Sequence, residues 1–289
     1  MLHSIAWFCI LLAVALVGTL IGRRLALRSE SAARSLVALA TFGVALAAIP
    51  RFQPTVLHSV LPLDITIWLE GTLAAFPFML LVGALSAATF ADRVKRTAPL
   101  MFVLGLVYYC FGALWMVLPP IDLAGNEVGR DDAGVFLQTR PDTCAAASCA
   151  TALGLMNITT TEQEMIEIVQ AKPSRGSTLG RVALGLSDFL APQYRVEVRN
   201  LSPVEVAQQA RPDRPILVIV KSGVGADHMI AVLGHNPLGV VVANPSPGVH
   251  AGVSPLPIKL ALRAGNEIYQ PEDFVRLVRP GAIVFEPVG

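Results

Sequence analysis

The chain has 289 residues, 54% of them hydrophobic and 15% charged, with a mean hydropathy of +0.60. A formal net charge of +1 at pH 7 gives no argument for nucleic-acid binding. The apolar excess is too large for a purely soluble protein, and it is concentrated in the first 120 residues.

Four apolar runs in that region read as membrane spans: residues 5–21, 36–49, 71–90 and 98–118. A span needs about 20 predominantly apolar residues. The first run is followed, not preceded, by basic residues (Arg23 and Arg24), so it reads as an uncleaved anchor instead of a signal peptide. Pro119 and Pro120 close the last run. Short loops rich in Lys and Arg stay in the cytoplasm. Arg23, Arg24, Arg28 and Arg34 follow the first run, and Arg93, Lys95 and Arg96 follow the third. Both loops are therefore expected inside. The rest of the chain is expected on the periplasmic or extracellular side of an inner (plasma) membrane, as part of a multi-pass protein in contact with membrane lipid. The expected division is a transmembrane domain of about four helices over residues 1–120, a polar, Gly-rich linker over 121–134 and one domain over 135–289.

In the third part, Cys144 heads a run of strong helix formers that continues to Leu155. Pro141 prevents an earlier start, and Asp142 or Thr143 can cap the helix. A second helix is expected over 159–170, with Thr161 and Glu164 spaced as a capping box. A third is expected over 178–190, where Leu179, Val182, Leu186 and Phe189 recur at helical spacing. Residues 194–198 alternate like a strand. Residues 202–210 read as a short helix, with Ser202 as cap and Pro203 in the first position. Strands are then expected over 215–220, 228–233 and 239–243, a short helix over 270–277 and a last strand over 282–285. Helices followed by an antiparallel meander make an α+β domain.

The candidate chemistry lies in this domain. A thiol in the first helical turn feels the positive end of the helix dipole, which lowers its pKa and favours the thiolate. Cys144 therefore suits a nucleophile if a histidine lies nearby; otherwise it is a small apolar core residue. Of His228, His235 and His250, only His228 opens a strand beside a Gly-rich turn, over residues 222–226; the other two read as turn residues. Asn244 ends the following strand, where its side chain can orient an imidazole through the second nitrogen. The Asn244–Pro245 pair also suits the start of an ordinary turn. Gln138 lies six residues before Cys144 in an extended segment. Cys149 lies about 140° around the helix from Cys144 and faces elsewhere. A regular helix would hold their Cα atoms about 8–9 Å apart, beyond disulfide reach. The cysteines and histidines show no metal-ligand spacing, and no cofactor motif is present.

Residues 135–286 resemble the papain-like bacteriocin-processing peptidases, family thirty-nine of the cysteine peptidases, which cut after double-glycine leaders. The resemblance rests on the Gln138–Cys144 spacing, the Ala-rich helix behind Cys144, the His-led apolar strand from His228 to Leu233, and Asn244–Pro245 where the family usually has Asp–Pro. Four departures stand out. Ala145 replaces the glycine that commonly follows the nucleophile, Asn244 replaces the usual aspartate, and the sequence shows no Walker motif. The expected location outside the membrane is opposite to the cytoplasmic side where exporter-linked leader peptidases work, so leader removal before export is not the inherited default. The resemblance implies a cysteine peptidase with Cys144 as nucleophile, His228 as base and acid, Asn244 as the residue holding the imidazole, and Gln138 as an oxyanion donor. It implies a peptide or protein substrate, expected to be exported, and an export system as a further partner. The other reading is a non-hydrolytic peptide-binding or export-accessory module on the same fold.

Overall fold

A computed structural model of the protein describes residues 2–52, 75–87, 118–132, 134–174, 176–221, 227–246 and 266–288. The chain divides into two compact units. One comprises Met1–Phe52 and Ile65–Leu118, the other Gln53–Asp64 and Pro119–Gly289.

The described part of the first unit is three helices: α1 (Leu2–Ala26), α2 (Glu30–Phe52) and α3 (Ala75–Ala87). α1 and α3 cross closely. A Cβ on Gly22 would lie 2.2 Å from the carbonyl oxygen of Leu80, and one on Gly83 would lie 2.2 Å from that of Thr19. Ala26, Ala33, Leu36 and Ala84 form a small buried cluster where the three helices meet.

Among the described residues, no helix is long and apolar enough to cross a membrane. This overturns the expectation of an α-helical membrane domain of about four transmembrane helices. The multi-pass inner-membrane location, with the peptidase domain outside, falls with it. α3 has 13 residues, or about 20 Å at 1.5 Å per residue, against a hydrocarbon core of about 30 Å. α2 opens on an exposed Glu30–Arg34 ion pair of 2.6 Å. α1 carries Arg23 and Arg24 in its last turn. The ends of the third expected span (71–74 and 88–90), all but Leu118 of the fourth, and the basic loop at Arg93, Lys95 and Arg96 lie outside the described residues.

The second unit is an α+β fold: α4 (Cys144–Leu155), α5 (Glu162–Ile168), α6 (Leu179–Leu190), β1 (Tyr194–Arg199), α7 (Pro203–Gln209), β2 (Ile216–Lys221), β3 (Asp227–Asn236), β4 (Gly239–Ala243), β5 (Asn266–Tyr269), α8 (Pro271–Leu277) and β6 (Val278–Pro287). Local chemistry sets the helix starts. Thr161 accepts from Glu164 N at 3.1 Å and Thr178 from Arg181 N at 3.4 Å. Ser202 and Glu205 form a reciprocal capping box behind Pro203. Each such cap is worth about 1 kcal/mol.

The six strands form one antiparallel sheet in the order β1-β6-β2-β3-β4-β5. Alternation along the strands gives the sheet two apolar faces. Leu217, Met229, Ala231, Leu233, Ile283 and Phe285 pack with α4, α5 and α6. Val218, Val220, Ile230, Val232, Val242 and Val284 pack with Val206 and Ala207 of α7 and Phe274 of α8. α4 is buried all round, from Ala145 to Leu153. A helix of small apolar residues without a polar face can only sit inside a core.

Residues 121–134, read from composition as a linker, are held to this unit. Ile121 and Leu123 are buried in the α4–α6 core. Ile121 N bonds Ala171 O at 3.0 Å, and Leu123 N bonds Gln163 Oε1 at 2.8 Å. β5 went unanticipated: its Asn-Glu-Ile-Tyr sequence is too short to show a period, and only pairing with β4 makes it a strand.

Candidate active site

The site begins where β3 and β4 part. Their pairing stops at Ala231–Ala243. The backbone of Met229, two residues further along β3, must find other partners. The first two turns of α4 supply them. Ser148 Oγ–H donates to Met229 O at 2.8 Å, fully buried. The N–H of Met229 faces the sulfur of Cys144. Cys144 and Ser148 are one helical turn apart, so both reach the same residue from one helix face. Met229 directly follows His228. The nucleophile candidate thus meets the peptide unit that joins His228 to Met229.

His228 is buried, and its Nε2 lies 2.8 Å from Oδ1 of Asn244, which is fully buried just after β4. The same Oδ1 accepts the N–H of Ser246 at 3.0 Å. An atom that accepts from a backbone N–H is the amide oxygen, so His228 Nε2 must be the donor. In the neutral imidazole, Nδ1 is then the basic nitrogen. Asn244 therefore sets the tautomer of His228.

Gln138 is joined to the same corner. Its N–H donates to the carbonyl of Pro245 at 2.9 Å. Phe136 N–H donates to Thr151 Oγ1 on α4 at 2.9 Å, which lays this segment along the helix behind Cys144. The side-chain Oε1 of Gln138 is buried and without a hydrogen-bond partner among the described residues. Cys144, His228, Asn244 and Gln138 are thus linked through Met229 and Pro245.

The electrostatics of Cys144 differ from the sequence expectation. Burial pushes its thiol above the ordinary value. The N–H groups of Met229, Ala145 and Cys144 itself pull it down, as expected at a helix start, but do not offset the loss of water, and Asp142 adds to the rise. Thr143 occupies the cap position without a side-chain cap bond. Its hydroxyl accepts from Arg140 N at 3.1 Å and donates to Arg140 O at 2.9 Å.

Other candidates lie apart from this arrangement. Cys149 is a free, fully buried thiol, driven strongly upward by desolvation. His235 Nδ1–H donates to Ala207 O at 3.1 Å, on the α7 side. Asp227 lies 2.6 Å from Arg279 Nε on β6. The turn at residues 222–226 and His250 lie outside the described residues. A cavity of about 530 Å³ sits at the far end of α4, around Met156, Tyr194 and Ile216, and none of the four site residues lines it. Sequence reasoning missed Ser148, Met229 and Glu162, which accepts from Thr139 beside Gln138. The i,i+4 spacing of Ser148 from Cys144 was a usable signal; Glu162 had none.

No protein-family model and no curated protein matches the chain. Among solved structures, it is similar to a double-glycine motif protease from an AMS/PCAT transporter in complex with the leader peptide. That likeness has 15% identity and a TM-score of 0.41, and covers 59% of this chain and 99% of the other. The chain is also similar to the peptidase domain of Streptococcus ComA, a bi-functional ABC transporter involved in a quorum-sensing pathway. There the identity is 13% and the TM-score 0.41, with 53% of this chain and 96% of the other covered.

Proposed function

We propose that the α+β unit hydrolyses a peptide bond through Cys144, His228 and Asn244, with Gln138 as an oxyanion donor. The observation that carries this reading is the Asn244 oxygen shared by His228 Nε2 and Ser246 N–H, since it makes Nδ1 the base. Met229 N–H at the sulfur supports the pairing of Cys144 with the start of β3.

The chemistry balances without a cofactor. The Cys144 sulfur attacks the scissile carbonyl carbon as His228 Nδ1 takes the thiol proton. The carbonyl π pair moves to oxygen, and Gln138 Nε2–H and the N–H of Cys144 donate to that oxyanion. Collapse breaks the C–N bond, and the imidazolium gives its proton to the leaving amine. Water, deprotonated by His228, then attacks the thioester carbon. Collapse breaks the C–S bond, the sulfur takes the proton from the imidazolium, and the acid product leaves as its carboxylate after losing its proton to solvent. Because burial favours the neutral thiol, proton transfer accompanies attack and no thiolate waits beforehand.

The raised thiol pKa also favours the second reading, a peptide-binding module in which Cys144 is inert. One experiment separates the two. The full chain is incubated with peptides carrying double-glycine leaders, the substrate class suggested by the sequence resemblance, and the products are read by mass spectrometry. Cleavage at one bond, lost in Cys144→Ala and in His228→Ala, supports the peptidase. Cleavage that survives unchanged in Cys144→Ala sinks it. Binding without cleavage, equal in wild type and Cys144→Ala, supports the binding module.

A further inference from the structure

We propose that Glu162 is a positioning residue that aims Gln138 at the reacting carbonyl; this deepens the peptidase reading and rests on it. Glu162 is a carboxylate of 0% exposure in the first turn of α5. Removing a carboxyl group from water is costly unless it is hydrogen-bonded. Among the described residues, its carboxyl oxygens accept hydrogen bonds from Thr139. The Thr139 N–H donates to Oε1 at 3.0 Å and to Oε2 at 3.3 Å, and its hydroxyl donates to Oε2 at 2.5 Å. Thr139 Oγ1 in turn accepts the N–H of Val128 at 3.0 Å.

Thr139 directly follows Gln138, and the N–H that Glu162 holds belongs to the peptide joining them. The peptide on the other side of Gln138 is held by Pro245 O at 2.9 Å. Gln138 is therefore clamped on both flanks, on one side to the turn carrying Asn244 and on the other to the buried carboxylate. With both flanking peptides fixed, the direction of its Cα–Cβ bond is fixed too. An oxyanion donor is useful only if held in place before charge develops. Oε1 of Gln138 is buried and has no hydrogen-bond partner among the described residues, so the two flanking peptides, not a bond to that oxygen, hold the residue. A carboxylate suits the task because one group accepts from both the N–H and the hydroxyl of Thr139.

The test compares Glu162→Gln in the full chain with wild type, each alone and in a Gln138→Ala background. Glutamine keeps an acceptor for one of the Thr139 groups and presents NH₂ to the other. Expected is a fall in kcat of about tenfold with KM within about twofold, and no further fall in the Gln138→Ala background, because Glu162 acts through Gln138. An equal fall in both backgrounds, or a change in KM alone, overturns the proposal. Hydrogen exchange supplies a readout independent of activity. The amides of Gln138 and Thr139 should exchange faster in Glu162→Gln, while those of α4 stay protected. Unchanged exchange at both amides overturns the proposal even if activity falls. Should the wild type cleave nothing and Cys144→Ala bind peptide equally, the peptidase reading fails. The exchange result then stands alone: faster exchange supports the clamp and unchanged exchange refutes it.

Discussion

The hydroxyl of Ser148 donates to the carbonyl of Met229 at 2.8 Å, between two buried residues that lie 81 positions apart in sequence. This bond closes the gap that β4 leaves beside β3, and it sets α4 at the height where Cys144 meets the residue after His228. One hydroxyl therefore joins the stability of the unit to the geometry of the site.

Ser148→Ala leaves the Met229 carbonyl buried and unbonded. It should cost about 1–3 kcal/mol, read as a lower urea midpoint at unchanged slope. Peptide cleavage should fall with it, because the height of α4 is no longer set. A variant as stable and as active as wild type would refute this role.

Asn244→Ala removes the oxygen that accepts from His228 Nε2. The imidazole can then adopt either tautomer, and kcat should fall by about 10²-fold or more. Asn244→Asp keeps an acceptor and adds a charge that favours the imidazolium. It should retain activity while the acid limb of kcat/KM moves to higher pH. Equal inactivity of both variants would show that Asn244 does more than orient the ring.

The upward shift of Cys144 makes a prediction about its reactivity. Its alkylation by iodoacetamide should accelerate as pH climbs past the ordinary thiol range near about 8.5. A rate that holds down to pH about 6, and drops in His228→Ala, would instead reveal a resting thiolate–imidazolium pair.

Two buried groups shape alkaline stability in opposite directions. Burial, with Arg181 nearby, lowers Lys172 to about 8. Above that pH the folded chain has lost a proton that the unfolded chain keeps until about 10.4. Stability should therefore rise through this interval, and the rise should vanish in Lys172→Met. Cys149 is shifted upward. Above about 8.5 the unfolded chain loses a thiol proton that the folded chain keeps, so stability should fall, by at most about 1.4 kcal/mol per pH unit. Urea titrations of wild type, Lys172→Met and Cys149→Ala between pH 7 and 10 separate the two slopes. Identical slopes in all three would refute both assignments.

Gly185 lies in α6 where a Cβ would sit 2.2 Å from the carbonyl oxygen of Ile168, at the end of α5. Gly185→Ala gains helix propensity of about 1 kcal/mol but forces two packed helices apart. The net effect should be destabilising by roughly 1–3 kcal/mol, visible as a lower Tm. A higher Tm would mean that the α5–α6 contact yields without cost.

The sequence alone determined what depends on neighbours along the chain. The caps at Thr161, Thr178 and Ser202 are local hydrogen bonds within three residues, so their residue types announce the helix starts. The short, continuous apolar runs of β2, β3 and β4 are likewise local, and with the helical runs they made the α+β class legible. Cys144, His228 and Asn244 stand at element ends, and with Gln138 they were singled out through the resemblance to a peptidase family. Tertiary structure decided the rest, because it depends on segments far apart in the chain. β6 enters the sheet between β1 and β2, and β5 is a strand only through β4. Glu162 gives no local sign of burial, since its partner Thr139 is 23 residues away. Composition also misdirected the reading of the first 120 residues: it counts apolar residues but not how far a helix such as the 13-residue α3 runs, nor where charges such as Glu30, Arg34, Arg23 and Arg24 fall along α2 and α1. Even the charge preference of Cys144 went the other way. The helix start lowers a thiol pKa from nearby along the chain, whereas desolvation comes from the whole surrounding fold, and here it is the larger effect.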